Sequence, residues 1–136
     1  MAASEVLNLI AGEERAAASG ELLDKLRPAD GSVLCTLARS GEADVAAATA
    51  AARAAQPSWA VRTPVERSDV VRSIAELLRS RREEAATIVA EETGKSMALA
   101  LGETDAAVEM GRFIAGEGRR SYGRTTTASM PHRTVF

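Results

Sequence analysis

The sequence predicts a mostly helical fold that begins with short antiparallel strands and ends in an extended arm. Apolar residues recur at a helical period over most of the chain after residue 42. Turn residues divide the first 38 residues into short β-prone runs. After Gly123 the sequence becomes rich in Thr, with a Pro that only an edge strand tolerates. We therefore assign residues 1–123 to one unit and residues 124–136 to the arm.

Two turns organise the predicted strands, which fall within residues 6–38. Ala11-Gly12-Glu13 separates two short runs and indicates a hairpin. Pro28-Ala29-Asp30-Gly31 separates two longer runs. Pro fixes φ, Asp offers a local acceptor and Gly tolerates positive φ, so this stretch favours a chain reversal. All of these strands are expected to pair antiparallel.

Three helices are predicted, over residues 42–56, 64–94 and 97–120. Ser40 or Gly41 caps the first, and Pro57 is expected to end it. The second has Thr63 and Glu66 at capping-box spacing, Pro64 at its first position and Gly94 at its end. Ser96 caps the third, whose glycines predict close backbone packing against a neighbour.

Composition excludes several classes of function. The net charge of −2 creates no field that would attract nucleic acid or an anionic membrane. No apolar run approaches the length of a membrane span, and the N-terminus does not resemble a secretory signal, so we expect a cytoplasmic protein. The apolar residues are mainly Ala, with one Trp, one Tyr and two Phe, so the chain's own core should be modest.

No catalytic or metal-binding residue is expected in this chain. Cys35 is the only cysteine and lies in an apolar strand without a basic neighbour, so we interpret it as a core residue. His132 has no second ligand or acid at motif spacing. Asp105 and Glu109 share a helix face and are interpreted as solvated, with a weakly held cation as the alternative.

Two further patterns suggest binding sites, but each has a simpler structural interpretation. EETGK (91–95) contains one Gly and follows no strand, so it indicates a helix end rather than a phosphate loop. The arginines nearest the C-terminus, with Tyr122 beside them, could contact nucleic acid, but the chain carries no nucleic-acid motif. Contacts within an oligomer or with solvent are preferred for Arg119, Arg120, Arg124 and Arg133.

Several strings stand in order over nearly the whole chain: NLIAGE (8–13), RPADGSVL (27–34), AAARAA (50–55) with Trp59, ER (66–67), IAELL (74–78), EETGK (91–95) with Glu103, and RFIAG (112–116). Together they resemble the N-terminal portion of the aldehyde dehydrogenase superfamily. Glu117 and Gly118 depart from it, because many members have Trp-Ala there. The ending RRSYG (119–123) looks somewhat more like the semialdehyde-oxidising branches.

The resemblance implies an α/β family fold of which this chain is an incomplete part. Residues 1–123 would form the N-terminal part of a domain that binds NAD or NADP. Residues 124–136 would begin an arm toward an oligomerisation sheet, which implies a homo-oligomer. The third helix would border the substrate tunnel, so the resemblance offers Met110, Phe113, Ile114 and Glu117 as tunnel-wall candidates.

The family oxidises aldehydes to carboxylic acids with a nucleophilic Cys, an oxyanion-binding Asn and a general-base Glu. In the family these residues and the main cofactor motifs lie downstream of Phe136, so the segment should be inactive and unable to bind cofactor alone. Its partner would be the missing remainder of the chain. The alternative is a stand-alone degenerate helical protein that associates with a full-length relative. A gene that continues past Phe136 would favour the first hypothesis, and a natural stop codon the second.

Overall fold

The computed structural model describes residues 4–120 and two short strands nearer the C-terminus. In chain order the first part contains β1 (Ser4–Val6), β2 (Asn8–Ile10), β3 (Glu13–Arg15), β4 (Leu22–Leu26) and β5 (Val33–Ala38). The helices α1 (Glu42–Ala60), α2 (Pro64–Ser80), α3 (Arg82–Thr93) and α4 (Met97–Gly116) follow, and a 3-10 turn spans Glu117–Arg119. The strands β6 (Thr126–Thr127) and β7 (Thr134–Val135) come last.

The first predicted hairpin is confirmed, with narrower bounds. β2 and β3 pair antiparallel, with Ile10 opposite Glu13. Ala11 and Gly12 form the turn, with φ of 56° and 83°. Positive φ at both central residues matches the twist of the flanking strands, which is why a two-residue loop suffices.

The second hairpin is also confirmed, but the prediction that all strands pair antiparallel is wrong. β4 and β5 pair antiparallel, with Leu23 opposite Leu37. In the turn between them the Asp30 carboxylate accepts the Ser32 N–H at 2.9 Å. β1 lies on the other side of β5 and runs parallel to it. The connection from β1 to β5 passes through three other strands, so it is long enough to allow a parallel pairing that a tight turn forbids.

Pro57 does not end the first helix, contrary to the prediction of a helix over residues 42–56. The helix continues to Ala60, and the Val61 N–H still reaches the Pro57 carbonyl at 3.3 Å. The Ser58 hydroxyl donates to the Ala55 carbonyl at 2.9 Å. Pro57 therefore removes one backbone donor in the last turn only, where the loss is tolerated.

The predicted helix over residues 64–94 is divided into α2 and α3 at Arg81, whose φ and ψ are −109° and 28°. The Leu77 carbonyl receives two donors, the Arg81 N–H at 3.1 Å and the Ser80 hydroxyl at 2.8 Å. A hydroxyl that competes for a helical carbonyl in this way bends a helix. The predicted ends are confirmed, because Thr63 and Glu66 form a capping box and Gly94 has a φ of 74°.

α4 packs along both α2 and α3 through small side chains. Ala75 of α2, Ala86 of α3 and Ala100 of α4 are at most 3% exposed. At Gly111 a Cβ atom would lie 2.9 Å from the Ala75 Cβ, so only glycine permits this approach. The predicted close packing is confirmed there, and the predicted helix over residues 97–120 ends in a 3-10 turn after Gly116.

The core of the described residues is built from small side chains. No large side chain among them is fully buried. α1 is exposed along most of its length and packs mainly against β2. Large apolar side chains such as Leu9 (73% exposed), Phe113 (62%) and Leu77 (58%) face outward. Their exposure leaves wide apolar surfaces uncovered.

Candidate functional site

The four tunnel-wall candidates lie on one side of the end of α4, at helical spacing. Met110, Phe113 and Ile114 are 61%, 62% and 50% exposed. Glu117, in the 3-10 turn that follows, is exposed as well. The side chains form an apolar surface with one carboxylate at its C-terminal end.

The structure places two of the four candidates in a groove of about 420 Å³ between the end of α4 and the start of α2. Ile114 and Glu117 line this groove, whereas Met110 and Phe113 are outside its lining. Sequence reasoning missed the other lining residues, because all but Gly118 come from the end of α1 and the start of α2. These are Trp59, Pro64, Arg67, Ser68, Val71 and Gly118.

Charged groups around the groove are held by neighbouring residues. The Glu117 carboxylate accepts from the Arg120 guanidinium at 2.9 Å. Arg67 donates to the backbone carbonyl of Arg62 at 2.6 Å, which ties the loop before α2 to its first turns. The Arg62 guanidinium carbon lies 5.6 Å from the centre of the Trp59 ring, within cation–π range.

A close contact fixes the end of α4 against α2. A Cβ atom on Gly118 would lie 1.6 Å from the Ser68 Oγ and 2.7 Å from the Pro64 carbonyl oxygen. Ser68 is itself buried, and its hydroxyl donates to that carbonyl at 2.9 Å. Glycine at position 118 therefore allows the groove to close at its base.

A second groove lies at the junction of α2 and α3, where sequence reasoning predicted a continuous helix. It has a volume of about 340 Å³ and is mainly apolar. Arg81 and Glu84 form an ion pair at its edge. The remaining lining residues are Ile74, Leu77, Leu78, Ala85 and Ile88.

The strand-to-helix turn between β5 and α1 does not fit a dinucleotide pyrophosphate. Such a group binds free backbone N–H groups at a helix N-terminus. Here the Asp44 carboxylate accepts the Gly41 N–H at 2.9 Å and the Ala18 N–H at 2.9 Å. Glu42 adds a second acid in the first turn. A phosphate would meet two negative charges and an N–H that is already bonded.

The same two backbone N–H groups lower the pKa of the buried Asp44 carboxyl, because they stabilise its charged form. Asp44 thereby joins the loop before β4 to the start of α1. Ser40 adds a second connection, because its hydroxyl donates to the Asn8 side-chain oxygen at 2.7 Å. Gly41, rather than Ser40, is the N-cap of α1.

The structure also describes some of the other residues considered in the sequence. Cys35 is 7% exposed within β5, in keeping with a core role. Lys95 of EETGK donates to the Glu103 carboxylate at 2.6 Å and follows the end of α3.

Within residues 4–120 no group of His, Cys, Asp and Glu could hold a metal ion. His132, Tyr122, Arg124 and Arg133 lie outside the described residues.

The face that carries Asp105 and Glu109 is exposed to solvent, as predicted, and is also ion-paired. Arg82 of α3 donates to both Asp105 oxygens, at 2.5 and 2.6 Å. These hydrogen bonds lower the pKa of the Asp105 carboxyl. Arg112 bonds to Glu109 of its own helix and to Glu76 of α2. The pairs therefore connect α4 to both neighbouring helices.

No helix in the described part of the chain has both the length and the apolar character needed to cross a membrane.

Comparisons with known proteins agree on one family. The profile of the aldehyde dehydrogenase family matches residues 15–136. Succinate-semialdehyde dehydrogenase (NADP⁺) GabD of Escherichia coli is 35% identical over 117 residues, which cover 86% of this chain and 24% of that protein. Human 2-aminomuconic semialdehyde dehydrogenase is 42% identical over 78 residues, which cover 57% of this chain and 16% of that protein.

Solved structures show the same fold. An NAD-dependent aldehyde dehydrogenase from Sinorhizobium meliloti matches with a TM-score of 0.87 and 32% identity, over 97% of this chain and 27% of that one. Lactaldehyde dehydrogenase from Escherichia coli matches with a TM-score of 0.89 and 25% identity, over 97% of this chain and 28% of that one. The chain spans about a quarter of the length of these relatives. The chain belongs to the aldehyde dehydrogenase family.

Proposed function

We propose that this chain is the N-terminal segment of an NAD(P)-dependent aldehyde dehydrogenase that oxidises an aldehyde, of the semialdehyde class, to a carboxylic acid. The observation that carries the proposal is the fold match, in which 97% of this chain overlays 27% of a dehydrogenase. The semialdehyde class is supported by the bacterial and human relatives, which are both semialdehyde dehydrogenases. The exposed apolar faces support incorporation into a larger body.

The segment is inactive by itself under this proposal. Its single cysteine, Cys35, is buried in a strand and lines neither of the two grooves described above. The strand-to-helix turn at Gly41 is closed to a phosphate by Asp44. We propose that NAD or NADP is held by residues that this segment does not contribute.

The segment's own contribution is to support and border the active site. The apolar surface of Met110, Phe113 and Ile114 would form one wall of the substrate path, with Glu117 at its end. Glu117 would present little net charge there, because Arg120 neutralises it. The Gly118 contact holds this wall against α2, so the wall's position depends on packing within the segment.

The proposal extends to self-association through residues 124–136. β6 and β7 lie within this stretch and pair antiparallel, with Thr126 opposite Val135. A short strand pair can extend a sheet contributed by another subunit. The partners we propose are thus the remainder of the dehydrogenase fold and further copies of the same enzyme.

A chimera tests the proposal. This chain replaces the aligned segment of the Escherichia coli succinate-semialdehyde dehydrogenase, and NADP⁺ reduction is measured with succinate semialdehyde. We expect the chimera to turn over and the isolated 136-residue chain to show no activity with either NAD⁺ or NADP⁺. Turnover by the isolated chain, or a folded chimera without activity, would contradict the proposal.

A further inference from the structure

We draw no further inference here: the strongest candidate, the apolar groove at the junction of α2 and α3, belongs to the surface that the proposed function already assigns to the remainder of the dehydrogenase fold, and nothing in the structure points to another occupant.

Discussion

At the scale of single residues, Asp44 connects two separate parts of the described chain. It is only 8% exposed, and its two oxygens each accept one backbone N–H, from Ala18 and from Gly41. One contact joins a loop from the strand region and the other caps α1. A single carboxylate therefore orients a helix that has few other contacts.

The lowered pKa of Asp44 makes this connection sensitive to acid. Its pKa lies below the ordinary value of 3.8 in the folded chain, so the unfolded chain binds the proton more readily. The stabilisation is complete above that ordinary value and is lost as the pH falls through the folded pKa. We expect Asp44→Asn to lower the thermal midpoint at pH 7, and the difference from the parent chain to shrink below about pH 4.

The measurement is a series of thermal melts followed by circular dichroism between pH 7 and pH 3. Glu42→Gln is the matched control, because it removes a charge from the same helical turn without touching the bonds to Gly41 and Ala18. If the thermal midpoints of Asp44→Asn and the parent chain differed by the same amount at all pH values, the stabilising role assigned to the charged Asp44 carboxylate would be contradicted.

Two glycines near α4 should respond in opposite ways to the same substitution. Gly118→Ala places a methyl group against Ser68 and the Pro64 carbonyl. Ser68 Oγ can rotate away, but the Ser68 Cβ at 2.6 Å and the backbone oxygen at 2.7 Å cannot. We expect a loss of about 1–3 kcal/mol in the free energy of unfolding, as for other overpacked sites.

Gly102→Ala is the matched control, because a Cβ atom there has nothing within 4 Å. Alanine is favoured over glycine inside a helix by about 1 kcal/mol, so this variant should gain stability. Urea titrations at equal chain concentration compare the two. Equal effects of the same sign would mean that the contact between Gly118 and α2 does not form.

At the scale of elements, the capping signals of α2 illustrate how far local sequence determines structure. Thr63 accepts the Glu66 N–H at 3.2 Å, and Glu66 accepts the Thr63 N–H at 2.7 Å. These groups are within four residues of each other, so their spacing alone predicts the geometry. The same holds for Gly94, which ends α3, and for Ser96, which accepts the Leu99 N–H.

Removing the Thr63 hydroxyl should weaken this helix start. We expect Thr63→Ala to reduce the free energy of unfolding by about 1 kcal/mol, as for other N-caps, because the Glu66 N–H loses its acceptor. Thr63→Ser keeps the hydroxyl and should differ little from the parent chain. Urea titrations followed by the helical circular dichroism signal distinguish the two variants. If Thr63→Ser lowered the free energy of unfolding as much as Thr63→Ala does, the hydroxyl would not be acting as the N-cap.

Other features were predicted less well. The break at Arg81 coincides with a shared acceptor, because the Ser80 hydroxyl and the Arg81 N–H both donate to the Leu77 carbonyl, which an apolar periodicity does not reveal. The parallel pairing of β1 with β5 needs knowledge of which strands meet in space. The groove beside Ile114 is formed by three separate helix ends, so only two of its lining residues were among the predicted candidates.

At the scale of the whole molecule, the chain has a helix layer held by small side chains and an outer surface rich in large apolar ones. A self-sufficient domain has the opposite arrangement, because burying large apolar side chains contributes most to the free energy of folding. Ile74, Leu77 and Ile88 remain 61%, 58% and 52% exposed. The proposed function accounts for this surface by placing the rest of the dehydrogenase against it.

Leu77→Ala tests that account most directly when it is measured in the isolated chain and in the chimera with the Escherichia coli enzyme. In the isolated chain we expect a change within about 0.5 kcal/mol, as for surface substitutions. In the chimera we expect a loss of about 2–5 kcal/mol, as for a buried leucine. Gly118→Ala is the control and should weaken both proteins, because its contact lies within this segment. A chimera whose unfolding is unchanged by Leu77→Ala would contradict the account.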